Sequence, residues 1–236
     1  MKVPALPYMF KRLEQLQSTN PPFHEKIVHS LDIIKKAIRI YGPEKLSISY
    51  NGGKESDVIL HLLRIALVSY NQPETFDIEN LKDAKINSMY FESDDDFEEI
   101  TQHVISVQEN LQMNMIVKNT SFQKGIQDIL DNTSVEAILL GNRSTDPYSK
   151  SLTSFSPSSP GWPTFMRILP ILDWTYGEVW LFIDIFNIPY CQLYNLGYSS
   201  IGKKGNTIPN PLLQTSTGYA HANTLKEWDN ERLSRQ

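Results

Sequence analysis

The chain lacks the ingredients of several protein classes. It holds one cysteine, Cys191, among 236 residues, so an intrachain disulfide, a cysteine-rich zinc site and a CxxC redox pair are excluded. The neighbours Pro189, Tyr190 and Leu193 point to packing rather than catalysis for that thiol. Positive charge is scarce: 22 Lys and Arg stand against 27 Asp and Glu, a net charge of -5. That balance leaves no footprint for a non-specific nucleic-acid binder or an anionic membrane surface, so any anionic ligand must be held locally. Long apolar runs are missing too. ILHLLRIALV at 59–68 is too short to span a bilayer and carries Arg64, so it reads as a buried helix. The five histidines (24, 29, 61, 103 and 221) form no HExxH or paired-ligand spacing. The opening MKVPALPYMFKRLEQ places prolines where a signal peptide has an apolar core, which makes the cytoplasm the expected compartment. A monomer with small-molecule partners, no nucleic acid and no membrane is the expectation.

What is present suits one sizeable core: 40% hydrophobic and 21% charged residues is ordinary globular usage. Residues 23–41 carry Ile27, Leu31, Ile34 and Ile38 at helical spacing, and Gly42-Pro43 ends that run. LSISY at 46–50 reads as a strand, and a helix starts at Glu55, with Val58, Leu62 and Ala66 on one face. The unit repeats. Strands are expected at 86–92, 113–119 and 136–142, with helices at 95–111 and 121–132 between them. Such alternation predicts an α/β fold, a mostly parallel twisted sheet flanked by helices. Residues 143–163 turn Ser/Pro/Thr-rich, and Tyr148, Phe155 and Trp162 favour an ordered binding loop over a linker. A strand at 165–172, a helix at 175–187 with Val179, Phe182 and Phe186 inward, and a polar C-terminal helix at 223–235 complete the reading. Trp174 and Trp180 are expected in the core.

SYNGGKES at 49–56 puts two glycines and a lysine between a strand and a helix. Backbone N–H groups in such a turn surround phosphate oxygens, while the positive helix end and Lys54 neutralise them. The spacing is neither a Walker A loop nor the dinucleotide GxGxxG pattern. An Asn-Gly turn with ordinary capping by Asn51 or Ser56 is the competing reading. Glu55 and Asp57 in the first helical turn would repel phosphates, and a magnesium ion between them removes the conflict, so Mg²⁺-bound ATP is expected. Arg143 and Asp146 follow the strand at 136–142, where ligands of open α/β sheets lie. They could equally form a structural ion pair at a turn. Arg232 and Arg235, three apart, read on their own as a solvated helix face.

The strand-borne SYNGGKES resembles the PP-loop of the adenine nucleotide alpha hydrolase-like superfamily, a Rossmann-like fold. Together with GNRSTDPY (141–148), PGWPTFMRILPILDWTYGEVW (160–180), GYSSIGKKGNTIPNPLL (197–213) and ERLSR (231–235), it resembles the eukaryotic, fungal-type FAD synthetases. These are the FMN adenylyltransferases related to phosphoadenylyl-sulfate reductases. The resemblance implies a single domain over 1–236, with an N-terminal extension at 1–22, a flavin-binding loop at 143–163 and a C-terminal substrate-binding segment at 194–236. It implies ATP and FMN as substrates, FAD as product and Mg²⁺ as cofactor. ATP would lie on Ile48, Ser49, Tyr50, Asn51, Gly52, Gly53 and Lys54, with Tyr90 and Phe91 at the adenine and Gly141, Asn142 and Arg143 bordering the nucleotide. Asp146, Ser159, Pro160, Trp162, Phe165 and Arg167 would take the flavin. Asn51, Glu55, Asp146, Arg232 and Arg235 would serve catalysis, Glu55 and Asp146 as metal ligands. Glu55 stands where the family usually has Asp, and Ser159 where fungal relatives commonly have an acid that reads the flavin ring; both suit a slower or re-tuned enzyme.

The chemistry fits these residue types. A phosphate monoester is largely dianionic at neutral pH and needs no strong base to attack. In-line positioning and charge neutralisation suffice, the work of Lys, Arg, Mg²⁺ and backbone N–H groups. Another PP-loop adenylating enzyme, such as a ligase, and a non-catalytic flavin or nucleotide sensor are the alternatives. A sulfonucleotide reductase is disfavoured because Cys191 has no ECG-type tail around it.

Overall fold

A computed structural model describes residues 2–71 and 81–235. Helices α1 (Leu6–Thr19) and α2 (Pro21–Tyr41) lead into β1 (Leu46–Ser49), and the glycine turn after it opens α3 (Lys54–Asn71). Then come β2 (Asn87–Phe91), α4 (Glu98–Leu111), β3 (Asn114–Lys118), α5 (Phe122–Asn132), β4 (Ala137–Leu139), β5 (Phe155–Pro157), β6 (Met166–Ile168) and α6 (Tyr176–Phe186). Beyond Gln192 the chain runs in short 3₁₀ turns around a small hairpin, β7 (Gln214–Thr215) and β8 (Gly218–Tyr219).

The main sheet has the order β3-β2-β1-β4-β6-β5, parallel throughout except for β5. From β1 the chain proceeds through β2 to β3, then returns to β4 on the other side of β1. The order therefore reverses between β1 and β4, and ligands of such sheets bind in the crevice beyond those strand ends. The central strand suits its place: Leu46, Ser47 and Ile48 are all buried, with Ile48 in register with Ser88 on one side and Leu139 on the other.

Helix α2 begins where Asn20 Oδ1 accepts from the Phe23 N–H and ends at Gly42, and its Ile27, Leu31, Ile34 and Ile38 are buried as the spacing requires. Helix α3 is buried from Val58 through Val68. Arg64 within it donates to Asp83 at 2.6 Å and to the Pro4 carbonyl at 3.0 Å, so its charge is paired. Helix α1, inside the segment read as an extension, buries Leu6, Met9, Phe10 and Leu16 in the same core. Helix α6 opens with a capping box between Thr175 and Glu178 and buries Val179, Phe182 and Phe186, with Trp174 and Trp180 beside them. A smaller cluster, Met89, Ile126, Ile129, Val135, Ile138 and Phe165, joins α5 to the sheet. Among the described residues no helix is long and apolar enough to cross a membrane.

Several elements differ from expectation, among them the strand at 136–142, which is only Ala137–Leu139. The strand at 165–172 shortens to Met166–Ile168, because Pro170 has no N–H to donate and the Leu169 N–H goes to the Ser154 carbonyl. The loop at 143–163 contains an unanticipated edge strand, β5, where Pro157 is tolerated. The polar helix at 223–235 does not form; 3₁₀ turns at Ala222–Thr224 and Trp228–Ser234 replace it. The cause is tertiary. Buried partners claim this backbone: the Glu231 carbonyl accepts from Ser199 Oγ at 2.6 Å, and the Asn230 carbonyl from Asn210 Nδ2 at 2.9 Å.

Candidate active site

The turn after β1 is shaped by its own side chains. Asn51 Oδ1 accepts from the Gly53 N–H at 3.0 Å, as an Asn-Gly turn requires, whereas Ser56 Oγ donates to the Gly53 carbonyl at 2.8 Å and so caps no helix N–H. Gly52 has φ of 70°, and a Cβ there would stand 2.9 Å from Val104 Cγ2. Only glycine fits. Underneath, Tyr50 is fully buried and its hydroxyl donates to Asp57 Oδ1 at 2.6 Å, while His103 Nε2 lies 3.0 and 3.1 Å from the two Asp57 oxygens. Burial works against a charged imidazole there, yet Asp57 holds His103 above its ordinary range. Asp57 thus faces inward and away from any phosphate, which corrects its part in the argument for a metal. Glu55 alone retains that role.

A cavity of about 270 Å³ opens between the ends of β1 and β4. Ser49, Asn51, Gly53, Lys54 and Glu55 line it from one side, Gly141, Asn142, Arg143 and Asp146 from the second, and Arg232 and Arg235 from the C-terminal run. Gly141 backs onto Glu55, where a Cβ would sit 2.8 Å from the Glu55 Cβ. Four of the five separated sequence motifs therefore meet in one place, and the one at 160–180 does not line it.

The floor of this cavity is ionic. Lys54 is 1% exposed. Its Nζ lies 2.6 Å from Glu231 Oε1, 3.0 Å from the Ser199 carbonyl and 2.9 Å from Glu55 Oε1, above the rings of Tyr176 and Tyr194. The Lys54 backbone N–H donates to the Tyr194 hydroxyl at 2.9 Å. Arg143, 2% exposed, donates from Nη2 to Glu231 Oε2 and stands 3.1 Å from Glu55 Oε1. Burial alone would raise the Glu55 carboxyl; Lys54 and Arg143 overcome it and hold that group below its ordinary range. Asp146 Oδ2 accepts from the Arg143 N–H at 2.8 Å, and its Oδ1 pairs with Arg232 at 3.0 Å. The turn and the ion pair both exist, within the cavity wall. Arg235 differs. Among the described residues it has no acidic partner, only Ser200 Oγ and the Ile201 carbonyl, and burial followed by the nearby Arg232 charge lowers its pKa.

An adjoining cavity of about 300 Å³ is lined by Tyr90 and Phe91 with Ile100, Phe122, Ile201 and Arg235. Burial pushes the Tyr90 phenol up to about 12, so it stays neutral and donates to Asp96 at 3.3 Å. Ile48, expected at the nucleotide, is fully buried in the core because strand alternation turns it away. The flavin set lies further out. Ser159, Pro160, Trp162, Phe165 and Arg167 line neither cavity, and Phe165 is buried in the small cluster under α5. Arg167 donates to the Pro157 carbonyl at 2.6 Å and reaches Ser159 Oγ at 3.5 Å. Trp162 is 40% exposed and meets the Phe122 ring edge-on at 5.9 Å; Phe122 borders both cavities. Phe122, Tyr194 and Glu231 escaped the sequence reading, although Glu231 opens the ERLSR motif that had been singled out.

Comparison with known proteins places this geometry. The phosphoadenosine phosphosulfate reductase domain model matches residues 123–209. A probable FAD synthase of Schizosaccharomyces pombe is 35% identical over 208 residues, 87% of this chain and 77% of that protein. A probable FAD synthase of Caenorhabditis briggsae is 30% identical over 216 residues, 90% of this chain but 40% of that longer protein. The crystal structure of Candida glabrata FMN adenylyltransferase superposes with a TM-score of 0.85 at 21% identity, covering 98% of this chain and 95% of that one. That likeness shows the fold, a mostly parallel sheet with flanking helices. Identity across most of both sequences carries kinship beyond fold, and by the fission-yeast relative this chain belongs to the FAD synthase family.

Proposed function

We propose that the chain transfers the adenylyl group of ATP to FMN, giving FAD and pyrophosphate. The observation that carries this reading is the gathering of Lys54, Arg143, Arg232 and Arg235 around one cavity at the switch point of the sheet, beside a ring-lined second cavity. An oxygen of the FMN phosphate attacks the α-phosphorus of ATP; that P–O bond forms as the bond to the bridging oxygen of the departing pyrophosphate breaks. No base is required, since the nucleophile arrives ionised. Lys54, Arg143, Arg232 and Arg235 neutralise the charge that develops on the equatorial oxygens and the leaving group. Asn51 fixes the shape of the glycine turn by accepting from the Gly53 N–H, and it lines the phosphate cavity itself. Tyr90 and Phe91 offer the adenine a neutral wall. The loop at 143–163 with Ser159, Pro160, Trp162 and Arg167 receives the flavin, and the segment 194–236 closes the phosphate side. The whole chain acts as one domain.

Glu55 and Asp146 fit a magnesium ion. Both are oxygen donors near the same Arg143 nitrogen, at 3.1 and 3.9 Å, and Glu55 Oε1 is buried without an aligned hydrogen-bond donor. Among the described residues no three His, Cys, Asp or Glu side chains gather as a metal cage, and magnesium held by one or two carboxylates plus phosphates needs none. When bound, the ion supplies charge neutralisation on the phosphates. The acidic net charge supports small-molecule partners rather than nucleic acid or an anionic membrane surface, and a cytoplasmic monomer belongs to the same reading.

Purified protein incubated with ATP, Mg²⁺ and FMN is expected to yield FAD and pyrophosphate on chromatography. Absence of FAD alongside adenylation of a different acceptor would overturn the assignment.

A further inference from the structure

A carboxylate at the floor of a phosphate site is a paradox, because it repels the ligand the site is built to hold. Glu231 is such a group. It is 7% exposed, and both of its oxygens are engaged: Oε1 by Lys54 at 2.6 Å, Oε2 by Arg143. Its backbone is clasped as well. Ser199 Oγ donates to the Glu231 carbonyl, Asn210 Nδ2 reaches both Ser199 Oγ at 2.8 Å and the Asn230 carbonyl, and Ser234 Oγ accepts from the Ser199 N–H at 3.1 Å. Ser199, Asn210 and Ser234 are all fully buried. A polar clasp of this depth delivers the carboxylate to one spot.

Glu55 approaches the same two cations, at 2.9 and 3.1 Å, but its nearer oxygen receives no aligned hydrogen bond and its side chain is twice as exposed, 19% against 9%. The two acids therefore divide the work. Glu55 is the less firmly held of the two. Glu231 stays.

We propose that Glu231 is a positioning residue of the phosphate site: it holds Lys54, the first residue of α3, and Arg143, in the loop after β4, at a set separation before any substrate arrives. Lysine and arginine stems are flexible, and a reacting group misplaced by about 1 Å loses on the order of 100-fold in rate. A fixed carboxylate between two cations from different elements removes that slack. It also leaves the floor neutral, two cations against two anions, so that Arg235, which has no acidic partner among the described residues, is left to face an incoming anion. The inference rests on the adenylyl-transfer reading for the identity of the substrates.

The test uses the full chain and the variants Glu231→Gln and Glu231→Asp, with inorganic pyrophosphate titrated calorimetrically and FAD formation followed in parallel. A Gln amide offers one acceptor and turns an N–H toward the other cation. Glu231→Gln is expected to bind pyrophosphate several-fold more tightly, since the floor gains net positive charge, while kcat falls on the order of 100-fold. Glu231→Asp, which keeps the charge, is expected to retain the wild-type pyrophosphate affinity and regain part of kcat. Weaker pyrophosphate binding that tracks a lowered Tm in both variants would mean a merely structural role, and an unchanged or raised kcat in Glu231→Gln would mean a movable gate; either sinks the proposal. Should Glu231→Gln fail to fold, Ser199→Ala carries the test: a lower kcat at unchanged pyrophosphate affinity supports positioning, and an unchanged kcat overturns it. Pyrophosphate binding needs no FMN. A wild-type chain that makes no FAD therefore defeats the substrate assignment, while the affinity of Glu231→Gln still decides the role of Glu231.

Discussion

The proposed phosphate half and the proposed flavin half of the candidate site are built on opposite principles. At the phosphate floor, Lys54 and Arg143 are buried and matched to Glu55 and Glu231; Lys54 meets its sequence neighbour Glu55, and the other three contacts join residues far apart in the chain. On the flavin side, Trp162 is 40% exposed, Arg167 binds backbone carbonyls, and Phe122 is the ring that connects the loop to the cavities. The difference follows from the ligands. A triphosphate is recognised by charge, and charge is effective only where water is excluded and every group is paired in advance. A planar ring system is recognised by shape and stacking, which a shallow loop provides.

The contrast breaks most visibly at Lys54. Lys54→Met leaves two buried carboxylates with one cation between them, at a cost of about 3–5 kcal/mol in stability. FAD formation is expected to fall by about 10²–10³-fold, measured beside a denaturant melt. Gly52→Ala forces a side chain onto φ of 70° against Val104 and is expected to cost about 1–3 kcal/mol by the same melt. The floor also carries a pH signature. Folding lowers the Glu55 pKa from 4.5, so its contribution to stability is present above 4.5 and fades as pH falls through the lower folded value. Melts from pH 7 to 3 are expected to show this acid limb, and Glu55→Gln to flatten it. Trp162→Ala is the mildest change. About 1 kcal/mol of ring contact is at stake there, so the KM for FMN should rise roughly fivefold while pyrophosphate affinity and Tm stay put. A matching loss of pyrophosphate binding in that variant would erase the distinction between the halves.

How much was legible depended on the range of the interactions. The strand, glycine turn and helix at 46–71 were readable because their signals are local: apolar spacing, Asn-Gly, a lysine at the helix start. Arg143 and Asp146 could be placed at a strand end by topology. Phe165, placed beside the flavin by the resemblance, is buried in the cluster under α5, a long-range packing that the residue just before a short strand does not announce. Asp57 looked like a companion of Glu55, yet Tyr50 and His103 turn it inward. The helix expected at 223–235 had the composition but not the environment.

Residue order by itself determined the alternation of strands and helices, the glycine that alone tolerates the turn before Lys54, and the motifs that mark the family. Tertiary structure alone decided which charges meet. Glu231 lies 177 residues from Lys54 and 88 from Arg143. Local patterning speaks through neighbours on one element, whereas pairing of buried ions is set by where the sheet and the C-terminal clasp bring distant side chains within hydrogen-bond reach.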